Sequence, residues 1–158
     1  MATFLIFCVK RPMYSLRLFS VRHARGLERV YNALNPVILS LLRATTKVFG
    51  RSLDRPITAL EAGAKGFFFD CKMCGDCVLS STGMSCPMNC PKTIRNGPCG
   101  GVRENGHCEV KPEMRCVWVA AWDGASRMKG GEAIEQINFA VDHRAKGTSS
   151  WLKLARDA

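Results

Sequence analysis

The sequence contains no long apolar run. The run from Val37 to Leu42 is far shorter than the ~20 residues that a membrane-spanning helix requires, so no transmembrane segment is expected. A Gly-x-Gly-x-x-Gly motif and a P-loop are also missing, so the sequence supports neither a dinucleotide-binding fold nor a phosphate-binding loop. Only three histidines are present, His23, His107 and His143. None has a recognisable catalytic context, whereas a cysteine nucleophile usually needs a histidine base.

Acidic residues are missing from the first 27 residues, which carry several arginines and serines. That composition resembles an organelle transit peptide. It also fits an over-extended start, with the protein beginning nearer Met13. We expect the protein in the cytoplasm, with an organelle as the minor alternative. Cytoplasmic thiols stay reduced, so a cysteine framework there indicates metal binding or catalysis more readily than disulfides.

The formal net charge of +10 is concentrated in the first 60 residues, where ten Lys/Arg face only Glu28 and Asp54. A basic arm can bind nucleic acid, an anionic membrane surface or an acidic partner. No interleaving of aromatic and basic residues and no known binding motif accompanies it. Nucleic-acid binding is therefore not favoured, and a zinc protein that binds DNA or RNA through the arm is the third hypothesis.

The composition, 47% apolar and 23% charged over 158 residues, is typical of one globular domain. We predict a small α-rich domain with an irregular, cysteine-rich segment that binds a metal cluster. Four regions are expected: a basic arm at 1–25, either flexible or targeting, a helical segment at 26–64, the cysteine-rich metal-binding region at 65–125, and C-terminal helices at 126–158.

Apolar residues recur at helical spacing on both sides of Asn35-Pro36. That dipeptide resembles an N-cap followed by proline at the first helical position, so two successive helices are predicted, the second ending at Gly50. A short helix or turn from Ala59 to Lys65 would lead into three consecutive phenylalanines. These would cover a metal centre or pack in an ordinary core.

The region after the cysteines shows a weaker pattern. Residues 117–122 are apolar, and a strand pair near Val117 to Ala120 remains open. A helix is predicted from Glu132 to His143, with Ile134, Ile137 and Val141 in register. Ser150 is a candidate cap for a final helical turn.

Eight of the nine cysteines lie between Cys71 and Cys116, where glycine and proline interrupt every regular pattern. The spacing is Cys71-x2-Cys74-x2-Cys77-x8-Cys86-x3-Cys90-x8-Cys99-x8-Cys108-x7-Cys116. Three thiolates in a Cys-x2-Cys-x2-Cys run can meet three corners of one iron–sulfur cubane, as in bacterial ferredoxins. We therefore predict a four-iron four-sulfur (4Fe-4S) cluster on Cys71, Cys74, Cys77 and Cys86.

The other four cysteines of the segment are predicted as metal ligands as well: Cys90, Cys99, Cys108 and Cys116. Eight ligands match two 4Fe-4S clusters, or one cluster and one zinc ion. Zinc is the alternative at the second site. It is also the main alternative to iron at the first group, where a disulfide scaffold is the third. Cys8 lies far from the others and is expected to play no part.

Three stretches carry a family resemblance: residues 69–77, residues 85–92 and residues 96–101, together with Arg115 to Trp118 and Ala121 to Asp123. Over about residues 65–125 they resemble the methylenetetrahydrofolate reductase C-terminal family. Some members are small subunits beside a flavin-dependent methylenetetrahydrofolate reductase. The resemblance does not extend to residues 1–50.

The resemblance implies a non-catalytic electron-transfer subunit of an oxidoreductase in one-carbon metabolism. Its clusters would take electrons from a donor such as ferredoxin and pass them to the flavin of the reductase subunit. Clusters transfer single electrons and a flavin collects two, which makes such a chain physically sensible. The alternative is a zinc-binding structural or assembly subunit of the same complex with no redox role.

Overall fold

The computed structural model describes residues 13–157, and within that range it contains five α-helices. They are α1 (13–22), α2 (Ala24–Phe49), α3 (Asp54–Phe69), α4 (Val117–Ala125) and α5 (Ser150–Asp157). Three short 3-10 turns span Pro87–Asn89, Gly131–Glu135 and His143–Ala145. The described residues form no β-strand, and only two isolated antiparallel bridges pair backbone segments there. The predicted α-rich fold is confirmed.

Helix α1 contains most of the described part of the predicted basic arm, whose last two residues belong to α2. Its Ser20 hydroxyl donates to the backbone carbonyl of Phe68 at 2.8 Å, and its Tyr14 hydroxyl accepts from the backbone N–H of Arg115 at 2.9 Å. Arg17 is 3% exposed and stacks over the Tyr14 ring, so this cation is not available to an external phosphate. The transit-peptide prediction for the first residues, and Cys8, lie outside the described residues.

Helix α2 is continuous across Pro36, so the predicted break into two helices is wrong. A proline inside a helix costs about 3 kcal/mol because it lacks an N–H and crowds the preceding turn. Contacts on both sides of Pro36 offset that cost. Glu28 accepts backbone N–H bonds from Lys129 and Gly130, and Leu42 packs against α5. The helix ends at Gly50, as predicted, with a φ of 57°.

Helix α3 begins at Asp54, five residues before the predicted start, and includes all three phenylalanines. Phe69 packs against the buried cluster that contains Cys86, whereas Phe67 and Phe68 are largely exposed. The helix closes through Asp70 in the left-handed region, whose backbone N–H bonds the carbonyl of Gly66. The next N–H, of Cys71, bonds the carbonyl of Lys65, which turns the chain directly into the first cysteine.

Three small apolar clusters take the place of one large core. The first joins α2 to the cysteine segment, the second joins α2 to α5, and the third surrounds α4. Their buried members are Ala24, Leu79, Met84, Cys86 and Met128; Leu42, Leu152 and Ala155; and Cys116, Trp118 and Ala121. Residues 117–125 are therefore helical, and the strand pair left open for Val117 to Ala120 does not form.

The predicted helix from Glu132 to His143 is wrong. A 3-10 turn ends at Glu135, and the following residues are extended, with Ile137 and Phe139 exposed. Reciprocal amide bonds hold this segment: Asn96 Nδ2 donates to the Asn138 carbonyl, and Asn138 N donates to Asn96 Oδ1, both at 2.8 Å. These partners satisfy backbone groups that a helix would otherwise have paired internally.

Helix α5 is capped by Ser149 instead of Ser150. The Ser149 hydroxyl oxygen accepts the backbone N–H of Leu152 at 3.1 Å, which is the usual N-cap geometry. Ser150 is the first residue of the helix, and its hydroxyl points to Glu61. Across residues 13–157, no helix is long and apolar enough to cross a membrane.

Candidate metal centre

The first three cysteines lie on a tight loop that leaves the C-terminus of α3. Asp70, Met73 and Gly75 all have positive φ, which curls the backbone. A side chain at Gly75 would collide with the carbonyl oxygen of Ala145, so only glycine fits where the loop meets residues 145–148. The Gly147 N–H also bonds the Met73 carbonyl at 2.7 Å. The loop is therefore clamped by the C-terminal segment.

Four thiols line one cavity of about 20 Å³: Cys71, Cys74, Cys77 and Cys86. Cys86 is buried, Cys71 and Cys74 are partly buried, and Cys77 is exposed. These are the four residues predicted for the first cluster, three of them from the Cys-x2-Cys-x2-Cys spacing. The structure therefore brings a pair of segments, the loop and the start of the Pro87–Asn89 turn, to the same cavity.

Two of these thiols have hydrogen-bond partners in the loop backbone. The N–H of Met73 donates to Cys71 Sγ at 3.4 Å, and the Cys74 thiol donates to the carbonyl of Asp76 at 3.4 Å. Backbone N–H bonds to sulfur stabilise thiolates and tune the potential of iron–sulfur sites. The Met73 amide can serve in that way, whereas the Cys74 contact belongs to a protonated thiol.

Two cations line the cavity beside the sulfurs, Lys65 and Arg95. Lys65 Nζ bonds the Glu61 carboxylate and donates to Ser150 Oγ at 2.8 Å. Burial alone lowers the pKa of Lys65, but the negative charges of Cys77 and Glu61 outweigh burial and raise it. The ammonium therefore stays charged next to the thiols.

Among residues 13–157, Glu61 is the most completely buried charged residue, at 1% exposure. Its carboxylate accepts from Lys65, from the hydroxyls of Ser149 and Ser150, and from the backbone N–H of Trp151. Burial raises the pKa of Glu61, but these hydrogen bonds lower it further than burial raises it. The ionised pair thus ties α3, which leads into the loop, to the start of α5.

Arg95 has buried N–H groups without partners. Its Nη2 donates to the Asp76 carbonyl at 2.9 Å and to the Asp76 carboxylate at 2.8 Å, while Nε and Nη1 are buried and unpaired. A buried guanidinium donor that lacks an acceptor costs about 1–3 kcal/mol or more. Because Arg95 lines the cavity, thiolates or sulfide placed there would supply the missing acceptors.

Burial also governs the ionisation of the thiols. It raises the pKa of Cys86 to about 12, and neighbouring thiolates add to the effect. The pKa of Cys71 is raised for the same reasons, although the Met73 N–H opposes the shift. At neutral pH these two groups are therefore protonated until a metal displaces their protons.

The donor set fits a thiolate-ligated metal centre: four sulfurs, two cations and unpaired buried N–H groups converge on one cavity. The finished coordination shell is not formed, because no group of three or more His, Cys, Asp or Glu within residues 13–157 is arranged to hold a metal ion. A cavity of about 20 Å³ has room for roughly one water molecule. A single ion would need side-chain rotation, whereas a cubane would also need the loop to move outward.

The second group of cysteines is more dispersed. Cys116 is buried with Trp118 and Ala121 at the start of α4, and Cys108 forms a backbone bridge with Val102. Cys90 follows the Pro87–Asn89 turn, and Cys99 lies near Lys92. They form no ligand group in the part of the chain that the structure describes. Their role as ligands remains a prediction.

Sequence reasoning missed Glu61, Lys65 and Arg95. The first two had a usable signal, since opposite charges at i and i+4 on a helix indicate an ion pair, and Cys71 follows six residues later. Arg95 had no comparable signal. Its place at the cavity depends on how the loop after Cys90 folds back.

These features define a small helical protein with a cysteine-lined cavity and a buried ion pair beside it. A family model described as "Methylene-tetrahydrofolate reductase C terminal" matches residues 51–144, well over half of the chain. The chain belongs to this family, which confirms the resemblance and extends it on both sides of residues 65–125. No curated protein and no solved structure matches the chain.

Proposed function

We propose that this protein is an iron–sulfur electron-transfer subunit that supplies electrons to a flavin-dependent methylenetetrahydrofolate reductase. The observation that carries the proposal is the convergence of Cys71, Cys74, Cys77 and Cys86 on one cavity. Family membership links the chain to that reductase by name. The subunit itself would be non-catalytic, and a donor such as ferredoxin would reduce it.

The cavity residues have separate tasks in this proposal. The four thiolates would hold a 4Fe-4S cluster, which supplies single-electron chemistry when bound. Lys65 offsets the negative charge of the thiolates, and Arg95 donates its unpaired N–H groups to sulfur. Both effects favour the more negative, reduced state and thereby raise the reduction potential.

Cys77 marks the outlet of the proposed site, the side from which electrons would leave the cluster. It is the exposed member of the four thiols, whereas Cys86 lies at the buried end. An electron leaving through the Cys77 side needs to cross little protein before it reaches a bound partner. The second group of cysteines would hold another 4Fe-4S cluster or a zinc ion.

The test is electron delivery under anaerobic conditions. The chemically reduced subunit is mixed with the purified reductase of the same organism, and bleaching of the flavin absorbance is followed. We expect wild type and Cys8→Ser to bleach the flavin at equal rates and Cys74→Ser to lose at least nine-tenths of the rate. Equal rates for wild type and Cys74→Ser would contradict the proposal.

A zinc-binding structural subunit is the second candidate, and the small cavity favours it because a single ion needs less rearrangement than a cubane. In that case the protein contains zinc in place of iron. Reductase activity then survives Cys74→Ser as long as the subunit still folds.

A further inference from the structure

Helix α2 carries an apolar stripe that no part of the described chain covers. Val30, Leu34, Val37 and Leu41 follow one another at steps of four, three and four residues, so they share one face of the helix. Their exposed fractions are 55, 51, 62 and 63%. A contiguous row of this kind marks an interaction surface more often than scattered apolar residues do.

The stripe borders a groove between α2, α3 and α5 with a volume of about 540 Å³. Val30 and Leu34 belong to both the stripe and the groove. The remaining apolar lining includes Tyr31, Ile38, Phe68, Trp151 and Leu154. An elongated apolar groove between helices suits the apolar face of an amphipathic helix.

The charges around the stripe indicate the charge that a partner surface should carry. Arg25, Arg29, Lys47 and Arg51 are exposed along and just beyond α2. The only acid between residues 13 and 53 is Glu28, which is buried and bonded to the backbone of Lys129 and Gly130. The α2 rim is therefore uniformly basic, whereas the groove lining also includes Asp76 and Asp157. A surface complementary to the α2 rim carries carboxylates.

The groove adjoins the cysteine cavity. Lys65, Gly75, Asp76 and Cys77 line both. Cys77 is the exposed thiol of the four, so an occupant of the groove lies directly against the outlet of the proposed site.

We infer that this groove docks an amphipathic helix of the reductase subunit, with carboxylates flanking its apolar face. The identity of the partner rests on the proposed function. A second copy of this chain is disfavoured because two basic rims would repel each other. A membrane is disfavoured because a bilayer surface does not enter a concave groove.

Binding of the fluorescently labelled full chain to the purified reductase of the same organism tests the inference. We expect Val30→Glu and Leu34→Glu, at the two stripe positions that also line the groove, each to weaken the affinity at least tenfold, and Arg29→Glu to weaken it less and to reduce its dependence on salt. Ile137→Glu is the matched control, because Ile137 is 85% exposed and lies outside the groove. It should bind within twofold of wild type.

Circular dichroism at increasing temperature verifies that the variants fold, and the milder Leu34→Asn serves if a charge disturbs α2. Binding of Val30→Glu and Leu34→Glu at the wild-type affinity would overturn the inference. So would a stripe-dependent self-association seen by light scattering, or stripe-dependent binding to vesicles of anionic phospholipid in place of the reductase.

Metal and sulfide content, measured on the same wild-type batch, separates the two proposals. Stripe-dependent binding by a protein that lacks iron and sulfide would leave the docking site standing and contradict electron transfer. If the protein contains iron and sulfide but the stripe substitutions leave its binding unchanged, electron transfer stands and the docking site is contradicted.

Discussion

The guanidinium of Arg95 joins Asp76 through two hydrogen bonds, one to the backbone carbonyl at 2.9 Å and one to the carboxylate at 2.8 Å. Asp76 lies between Cys74 and Cys77, so this contact fixes the middle of the cysteine loop. Arg95 is 7% exposed and keeps two further N–H groups unpaired. The same side chain therefore positions the loop and offers donors to whatever the thiols bind.

Arg95→Gln should weaken metal retention. The substitution removes the contact with Asp76 and the unpaired donors, so we expect loss of bound metal to a chelator to accelerate at least fivefold. Absorbance of the anaerobic protein after addition of the chelator follows the loss. Arg103→Gln is the control, since Arg103 is exposed and lies outside the cysteine cavity. Equal rates for the two variants would refute a role for Arg95.

Glu61→Gln should destabilise the protein strongly. It leaves the buried Lys65 without its carboxylate, and breaking one partner of a buried pair costs about 3–5 kcal/mol. Urea unfolding at neutral pH measures the loss. The exposed Glu132→Gln should lie within about 0.5 kcal/mol of wild type. A loss below about 1 kcal/mol for Glu61→Gln would show that the pair contributes little.

The same pair predicts a pH dependence. The folded protein holds the pKa of Glu61 below its ordinary value. Its contribution to stability is therefore complete above the ordinary glutamate pKa of about 4.3 and is lost as the pH falls through the lower, folded pKa. The free energy of unfolding of wild type should fall over that acidic range, and Glu61→Gln should lack this component. Parallel pH profiles for the two proteins would contradict it.

Gly75→Ala should be more damaging than Gly50→Ala. Both glycines have positive φ, which costs an alanine about 1–2 kcal/mol. The space at Gly50 is open, whereas a side chain at Gly75 meets the backbone of Ala145. We expect Gly75→Ala to lower the melting temperature further and to reduce metal binding, and Gly50→Ala to keep normal metal binding. Equal effects of the two substitutions would show that residues 145–148 move aside to accommodate the added methyl group.

Metal binding should weaken as the pH falls. Because burial raises the pKa of Cys86 to about 12, its thiol must lose a proton when metal binds. Each thiol deprotonated on binding lowers the apparent affinity about tenfold per pH unit below its pKa. Titration of the metal-free protein with Co²⁺ at pH 8 and pH 6 tests this through the thiolate-to-metal absorption band. A pH-independent affinity would exclude the thiols as ligands.

The sequence was most informative where a residue acts locally. Gly50 ends α2 because its backbone, with φ 57° and ψ −125°, takes a conformation that glycine adopts at little steric cost, and this effect needs no distant contact. Cys71, Cys74 and Cys77 line one cavity because their short spacing limits where they can lie, whereas Cys86, nine residues after Cys77, reaches it from a second segment. Both predictions depend mainly on residues that are close together in the sequence.

Long-range contacts explain the failures. Pro36 remains inside α2 because Glu28 and Leu42 anchor the helix on either side of it, through partners about a hundred residues away. The helix predicted near Ile137 is replaced by an extended segment because Asn138 pairs with Asn96. Arg95 likewise reaches the cavity through contacts between residues far apart in the sequence. Hydrophobic periodicity is a local signal, so it does not predict these arrangements.

Metal and acid-labile sulfide analysis of the anaerobically purified protein decides whether the cysteines hold iron–sulfur clusters. The account predicts a brown protein with about four iron and four sulfide per chain, or about twice that if the second site also holds a cluster. Cys74→Ser should lose one cluster's share, and Cys8→Ser should retain all of it. A colourless protein with stoichiometric zinc and no sulfide would contradict the account.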